Sequence, residues 1–156
     1  MKTLDTVRKQ DIPTIGGLVD IARESADFYG REAKIVSDPG LRHLFSEMAE
    51  ARHRFVQEAT KTGASQASMA VDAAKDAPVI SAWKGLYSEL EPNMTDKKLG
   101  FVPALDGSES RLLAAFNKAS TDASLPAEVK QAVVSYLPAL REHHTILHDR
   151  GWAKVA

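Results

Sequence analysis

Two long helical stripes meet at Ser37-Asp38-Pro39, and no other feature of this 156-residue chain constrains its fold as much. Before that point, apolar residues recur at Ile15, Leu18, Ala22, Phe28, Tyr29 and Val36. After it they recur at Leu41, Leu44, Phe45, Met48, Phe55, Val56 and Ala59. Both sets keep the spacing of one helix face. Asp38 has the chemistry of an N-cap, and Pro39 suits a first helical position, where its missing N–H costs nothing. Two long helices joined by so short a turn must pack antiparallel.

The rest of the chain continues in helical terms. Residues 1–10 read as a lead-in, and Asp11 and Pro13 mark the first helix start, so the stripes predict helices over about 12–37 and 39–61. Residues 62–94 form a long connection. Its first half is small and weakly patterned. Its second half places Ile80, Trp83, Tyr87 and Leu90 on one face, which predicts a short helix over about 79–90 lying against the others. Thr95, Asp96 and Lys97 look like the next start, for a helix over about 96–120 with a kink or a late start near Pro103. Ser124-Leu125-Pro126 opens the last helix, about 126–150, with Gly151 as its C′ residue. The expected fold class is all-α: one domain over 11–151, a four-helix bundle of two antiparallel hairpins with a long crossover that carries a short extra helix.

Composition narrows the chemistry. There is no cysteine, so disulfides, thiolate nucleophiles, iron–sulfur clusters and cysteine zinc sites are excluded. Lys plus Arg is 20 against 21 for Asp plus Glu, which gives no basic face for nucleic acid. No apolar run approaches the roughly 20 residues of a membrane-spanning helix. The start, MKTLDTVRKQD, lacks the apolar stretch of a signal peptide, so residence in the cytoplasm is expected. Neither a phosphate-binding glycine loop nor a nucleophile elbow is present.

The polar residues that share the core stripes are therefore the informative ones. Glu50-Ala51-Arg52-His53 contains a Glu-x-x-His pair, the unit that di-iron carboxylate bundles use on two helices. Its phase is wrong. Relative to Met48, Glu50 lies at about 200° and His53 at about 140°, both toward solvent, whereas Arg52 lies at about 40°, inside the apolar stripe. A guanidinium there needs carboxylate partners. Glu109 falls at the centre of the third long stripe (Val102, Leu105, Leu112, Leu113, Phe116). In the first helix Ser25 and Glu32 point inward and Glu24 sits at the stripe's edge. Reflection across the turn puts Arg52 level with Ala22 to Glu24, so Glu24 is the expected partner there, with Glu32 nearer the turn. In the last helix His143 and His144 flank the stripe of Val129, Val133, Leu137, Leu140 and Leu147, with His144 slightly closer. The expected buried polar cluster is Arg52, Glu109, Glu24 and His144.

These residues carry a resemblance. LVDIARESADFYGREAKIVSDPGLRHLF, MAEARHRFVQEA, AWKGLYSEL, Glu109 followed by LLAAF, and SYLPALREHH together resemble a bacterial family of ferritin-like four-helix domains known only as a domain of unknown function. The resemblance spans about Leu18 to His148 and rests on helix pattern and on Tyr29, Asp38, Pro39, Arg52, Phe55 and Glu109. It implies a ferritin-like bundle with one long crossover. It does not imply ferroxidase activity. Glu24 and Glu109 would stand for the two single glutamates of a di-iron site, but Arg52 replaces an inward Glu-x-x-His on helix two. On the last helix Arg141, not a glutamate, precedes His144 by three residues, and Glu142 is followed at the same distance by Thr145.

Two readings follow. In the first, the chain is a non-enzymatic bundle with a buried ion-pair cluster, a structural, stress-related or interaction protein that needs no cofactor. In the second, it is a degenerate ferritin-like protein with a one- or two-metal site for iron or manganese, built from Glu24, Glu109 and His143 or His144. A small apolar ligand beneath Trp83 and Tyr87 is a further candidate, less favoured than simple capping of the core by those rings. The His144 and His148 pair lacks a third ligand for a divalent ion. Self-association through Trp152 is the candidate partnership, with no membrane or nucleic-acid partner expected.

Overall fold

A computed structural model describes residues 13–61, 73–95 and 98–155, with side chains to Arg150. These residues are helical with no strand among them: α1 (Ile15–Glu32), α2 (Pro39–Ala59), α3 (Ala77–Leu90), a short 3-10 turn (Glu91–Asn93), α4 (Val102–Ser120) and α5 (Ala127–Val155). The lead-in, Asp11, most of the small-residue half of the connection, and Asp96 and Lys97 lie outside the described residues. No described helix is long and apolar enough to cross a membrane.

The expected caps form where local chemistry decides them. Asp38 accepts from the Leu41 N–H at 2.9 Å, with Pro39 in the first turn. Thr14 accepts from the Gly17 N–H at 3.4 Å. The Asp76 carboxylate, just ahead of α3, then takes both the Thr14 N–H and its hydroxyl, at 2.7 and 2.6 Å, and so lays negative charge on the start of α1. Gly17 leaves room for that contact: a Cβ there would lie 2.3 Å from Asp76 Oδ2.

Several boundaries differ from expectation. The first helix ends at Glu32, not near 37, because the chain tightens over residues 33–36 with Val36 N–H bonded back to Glu32, which buries Val36. Pro103 marks a late start of α4, the second of the two expected outcomes, and not a kink. It sits in the first turn of α4, which starts at Val102, after Leu99 turns the chain in the left-handed region (φ 57°). Gly151 does not end α5. The helix runs on to Val155 and carries Pro138 in its interior.

Side-chain pairs fix the helix directions. Between α1 and α2, Tyr29 meets Phe45 and Ser25 meets Arg52, so the two run oppositely. Between α2 and α5, Asp38 meets Arg150, Glu47 meets His143 and Arg52 meets Tyr136, again in opposite order. Between α5 and α4, Arg141 meets Asn117 and His148 meets Asp106. Thus α2 and α4 point the same way, and the chain must return along the molecule between them. The return is α3, which climbs beside α1 in the same direction, Asp76 meeting Thr14, Lys84 meeting Glu24 and Tyr87 stacking on Phe28 at 4.3 Å.

Two aromatic groups fill the interior. Phe28, Tyr29, Phe45 and Tyr87 form one, and Phe55, Phe116 and Tyr136 the other, with Phe116–Tyr136 centroids 5.2 Å apart. Each contributes a tyrosine hydroxyl to the ion pair that lies between them.

Candidate functional site: a buried arginine–glutamate pair

Arg52 is the largest side chain with essentially no exposure, and Glu109 is equally buried. A guanidinium inside a helical protein is costly unless each N–H finds an acceptor. Here the acceptors are supplied from each of the other three long helices. From α4, Glu109 takes Nη2–H on Oε1 and Nη1–H on Oε2, the latter at 3.1 Å, a two-pronged pairing that matches the planar fork of arginine. From α1, Ser25 Oγ takes the other Nη1–H. From α5, Tyr136 Oη takes Nε–H at 2.8 Å. Tyr29 donates its hydroxyl to Glu109 Oε2 at 3.2 Å, and its ring lies 5.0 Å from the guanidinium carbon, within cation–π range.

The electrostatics follow from the burial. For Arg52, burial works against the charge, but Glu109, Tyr136 and Tyr29 together outweigh it and hold the guanidinium charged well beyond the ordinary range. Burial, then the Glu109 charge, push the Tyr29 hydroxyl well up. Burial also lifts Tyr136 to about 12, and Tyr87 likewise rises through burial and Glu109. The phenols therefore stay neutral around one fixed charge pair.

The structure brings Arg52, Glu109 and Ser25 together and separates the other candidates. Glu24 is not Arg52's partner. It is partly exposed and faces Lys84 at 3.5 Å. The level was right, but Ser25, one residue and 100° further on, is the residue that looks inward. His144 is not in the cluster either: its Nε2 meets Asp106 Oδ1 at 2.8 Å and Ser110 Oγ at 2.9 Å. His143 is the more buried of the two, with Nδ1 unpartnered and Nε2 3.8 Å from Glu47. Glu32 is buried near the turn, and one of its oxygens has no hydrogen-bond partner. Glu50 and His53 face solvent.

The candidate metal set of Glu24, Glu109, His143 and His144 is therefore divided among four different partners. Both Glu109 oxygens are engaged by Arg52, and the donor set does not fit iron or manganese. Among the described residues no group of three histidine and carboxylate side chains is placed to hold a metal ion. Trp83 and Tyr87 are buried, with Trp83 Nε1 unpartnered. The groove of about 690 Å³ beside α3 is lined by Val19, Asp20, Ile80 and Lys84, and neither ring faces it.

Two partners escaped the sequence reading. Tyr136 follows Val133 by three residues and precedes Leu140 by four, so the stripe itself could have placed it inward. Asp106, which joins His144 to His148, lies one residue from the stripe of α4 and carried no comparable signal. No family model, curated protein or solved structure matches this chain.

Proposed function

We propose that this chain is a ferritin-like helical bundle in which an arginine–glutamate pair stands where related scaffolds hold metal, and that it works without catalysis, as a structural or interaction protein. One observation carries the reading: the Arg52 guanidinium spans both Glu109 oxygens at the centre of four helices. The Arg52 cation already neutralises the buried Glu109 carboxylate and repels a second cation. The helix directions support the scaffold, because a return between parallel α2 and α4 is what one long crossover between two hairpins requires.

The test is elemental analysis of tag-free protein produced with iron and manganese in excess. Far less than one metal per chain, with no change in Glu109→Gln, is the expected result. One equivalent of metal that disappears in Glu109→Gln would replace this reading with a metal centre.

A further inference from the structure

Four of the five histidines in the sequence gather at one level of α5, around two carboxylates. The tandem pair His143-His144 organises them. Adjacent residues on a helix point about 100° apart. His143 accordingly turns toward α2, where Glu47 Oε2 lies 3.8 Å away, and the same carboxylate meets His43 at 3.0 Å. His144 turns toward α4, where Asp106 Oδ1 lies at 2.8 Å and the other oxygen of Asp106 meets His148 Nδ1 at 2.8 Å. The two sites match in composition, and each joins a more buried ring to an exposed one: side-chain exposure is 8% for His143 against 78% for His43, and 20% for His144 against 55% for His148.

We propose that the tandem histidines make α5 a pH-biased element, in which acidification loosens its seam with α2 and tightens its seam with α4.

On the α2 side, a second proton on His143 meets three obstacles. The ring is buried, its Nδ1 has no hydrogen-bond partner, and the positive charge of Arg52 opposes a second cation there. Glu47 from α2, Glu142 on its own helix and Glu109 from α4 favour the cation, but burial first and Arg52 second hold the imidazole below its ordinary value. A depressed imidazole gives stability that is complete above the unfolded value and lost as pH falls through it. On the α4 side, the hydrogen bond and charge of Asp106, with Asp149 adding to them, raise His148. Its contribution is present in acid and lost as pH rises. Asp106 holds both imidazoles at once, and a proton on His148 turns its hydrogen bond to that carboxylate into an ion pair.

The loosening is bounded. Arg150–Asp38 and Arg52–Tyr136 tie α5 to α2 on either side of His143, and neither depends on a histidine proton. The affected stretch is therefore the part of α5 between Tyr136 and Arg150.

The experiment combines an NMR titration of the imidazoles with backbone hydrogen exchange, corrected for intrinsic rates, at about pH 7.5 and about pH 5.5. The reference is the ordinary imidazole value of about 6.5. The wild-type titration needs no variant, so it remains informative if His143→Gln fails to fold. Expected are a His143 value below that reference, a His148 value above it, and exchange in the 140–147 stretch faster in acid by up to about tenfold, one unit below the ordinary imidazole value. His143→Gln should remove the acid acceleration. His148→Gln should keep it and add exchange at the start of α4. A His143 that titrates at or above the ordinary imidazole value, or an acid acceleration that persists in His143→Gln, overturns the proposal.

Discussion

At the residue scale, the pairing of Arg52 with Glu109 makes a double substitution more informative than either single one. Removing one partner strands the other charge, so Arg52→Leu or Glu109→Leu should each cost about 3–5 kcal/mol in urea denaturation. The combined variant should recover most of that loss, because burying apolar groups in place of an ion pair is close to neutral. A wild-type midpoint in Arg52→Leu would show that the pair does not support the fold. Glu32 predicts the opposite sign. Burial, then Glu91, raises its carboxyl, so the fold favours the protonated form, and the stability this brings in acid is lost as pH rises. Glu32→Gln should therefore stabilise the protein near neutrality and flatten that dependence, read as melting temperature against pH. Arg52, Ser25, Glu32 and Glu109 were legible because 100° per residue fixes their phase from one strand of helix alone. The Arg52 partner on α1 was not, because reflection across a turn fixes height but leaves the azimuth open by one residue. A similar one-residue uncertainty put His144 in the expected cluster, whereas His143 is the more buried of the two. Tyr136 escaped for a different reason: its ring behaves as core while its hydroxyl does polar work.

At the element scale, α1 begins on a contact with a residue 62 positions away. Asp76→Ala should cost about 1 kcal/mol, the usual worth of a lost cap. Gly17→Ala should cost more in the wild type than in the Asp76→Ala background, because the carboxylate is what the new methyl would strike. Equal costs in the two backgrounds, compared by chemical denaturation, would mean that the glycine is needed for some other reason. Helix existence and face were readable along the chain because the apolar period repeats many times in each segment. The ends were readable only where a local cap decides them, as at Asp38. The start of α4 was readable only as one of two outcomes at Pro103, which serves a first turn as well as it breaks an interior, and the run of α5 past Gly151 was not, since glycine permits a helix end without compelling one.

At the scale of the whole molecule, Asp38 does two jobs at once. It caps α2 and receives Arg150 from the far end of the chain, so it closes the first hairpin onto the last helix. Asp38→Ser keeps a capping oxygen and loses the charge, whereas Asp38→Ala loses both. The expected order of stability is wild type, then Ser, then Ala, with about 1–2 kcal/mol across the series by calorimetry. A serine variant as weak as the alanine one would assign the whole effect to the ion pair. All-helical architecture and the antiparallel first hairpin could be read from the stripes and the short turn. The pairing of α2 with α5 could not, because no local signal says which of the later helices closes on the first pair. All three tyrosines of the sequence, Tyr29, Tyr87 and Tyr136, lie inside and border the charge pair. Each is raised above the value of a free phenol, so base withdraws stability as pH climbs past about 10. Tyrosinate absorbance in the ultraviolet should then stay silent through the ordinary phenol range and appear in one step with the loss of helix. The chain thus carries its own optical gauge of whether its interior is closed.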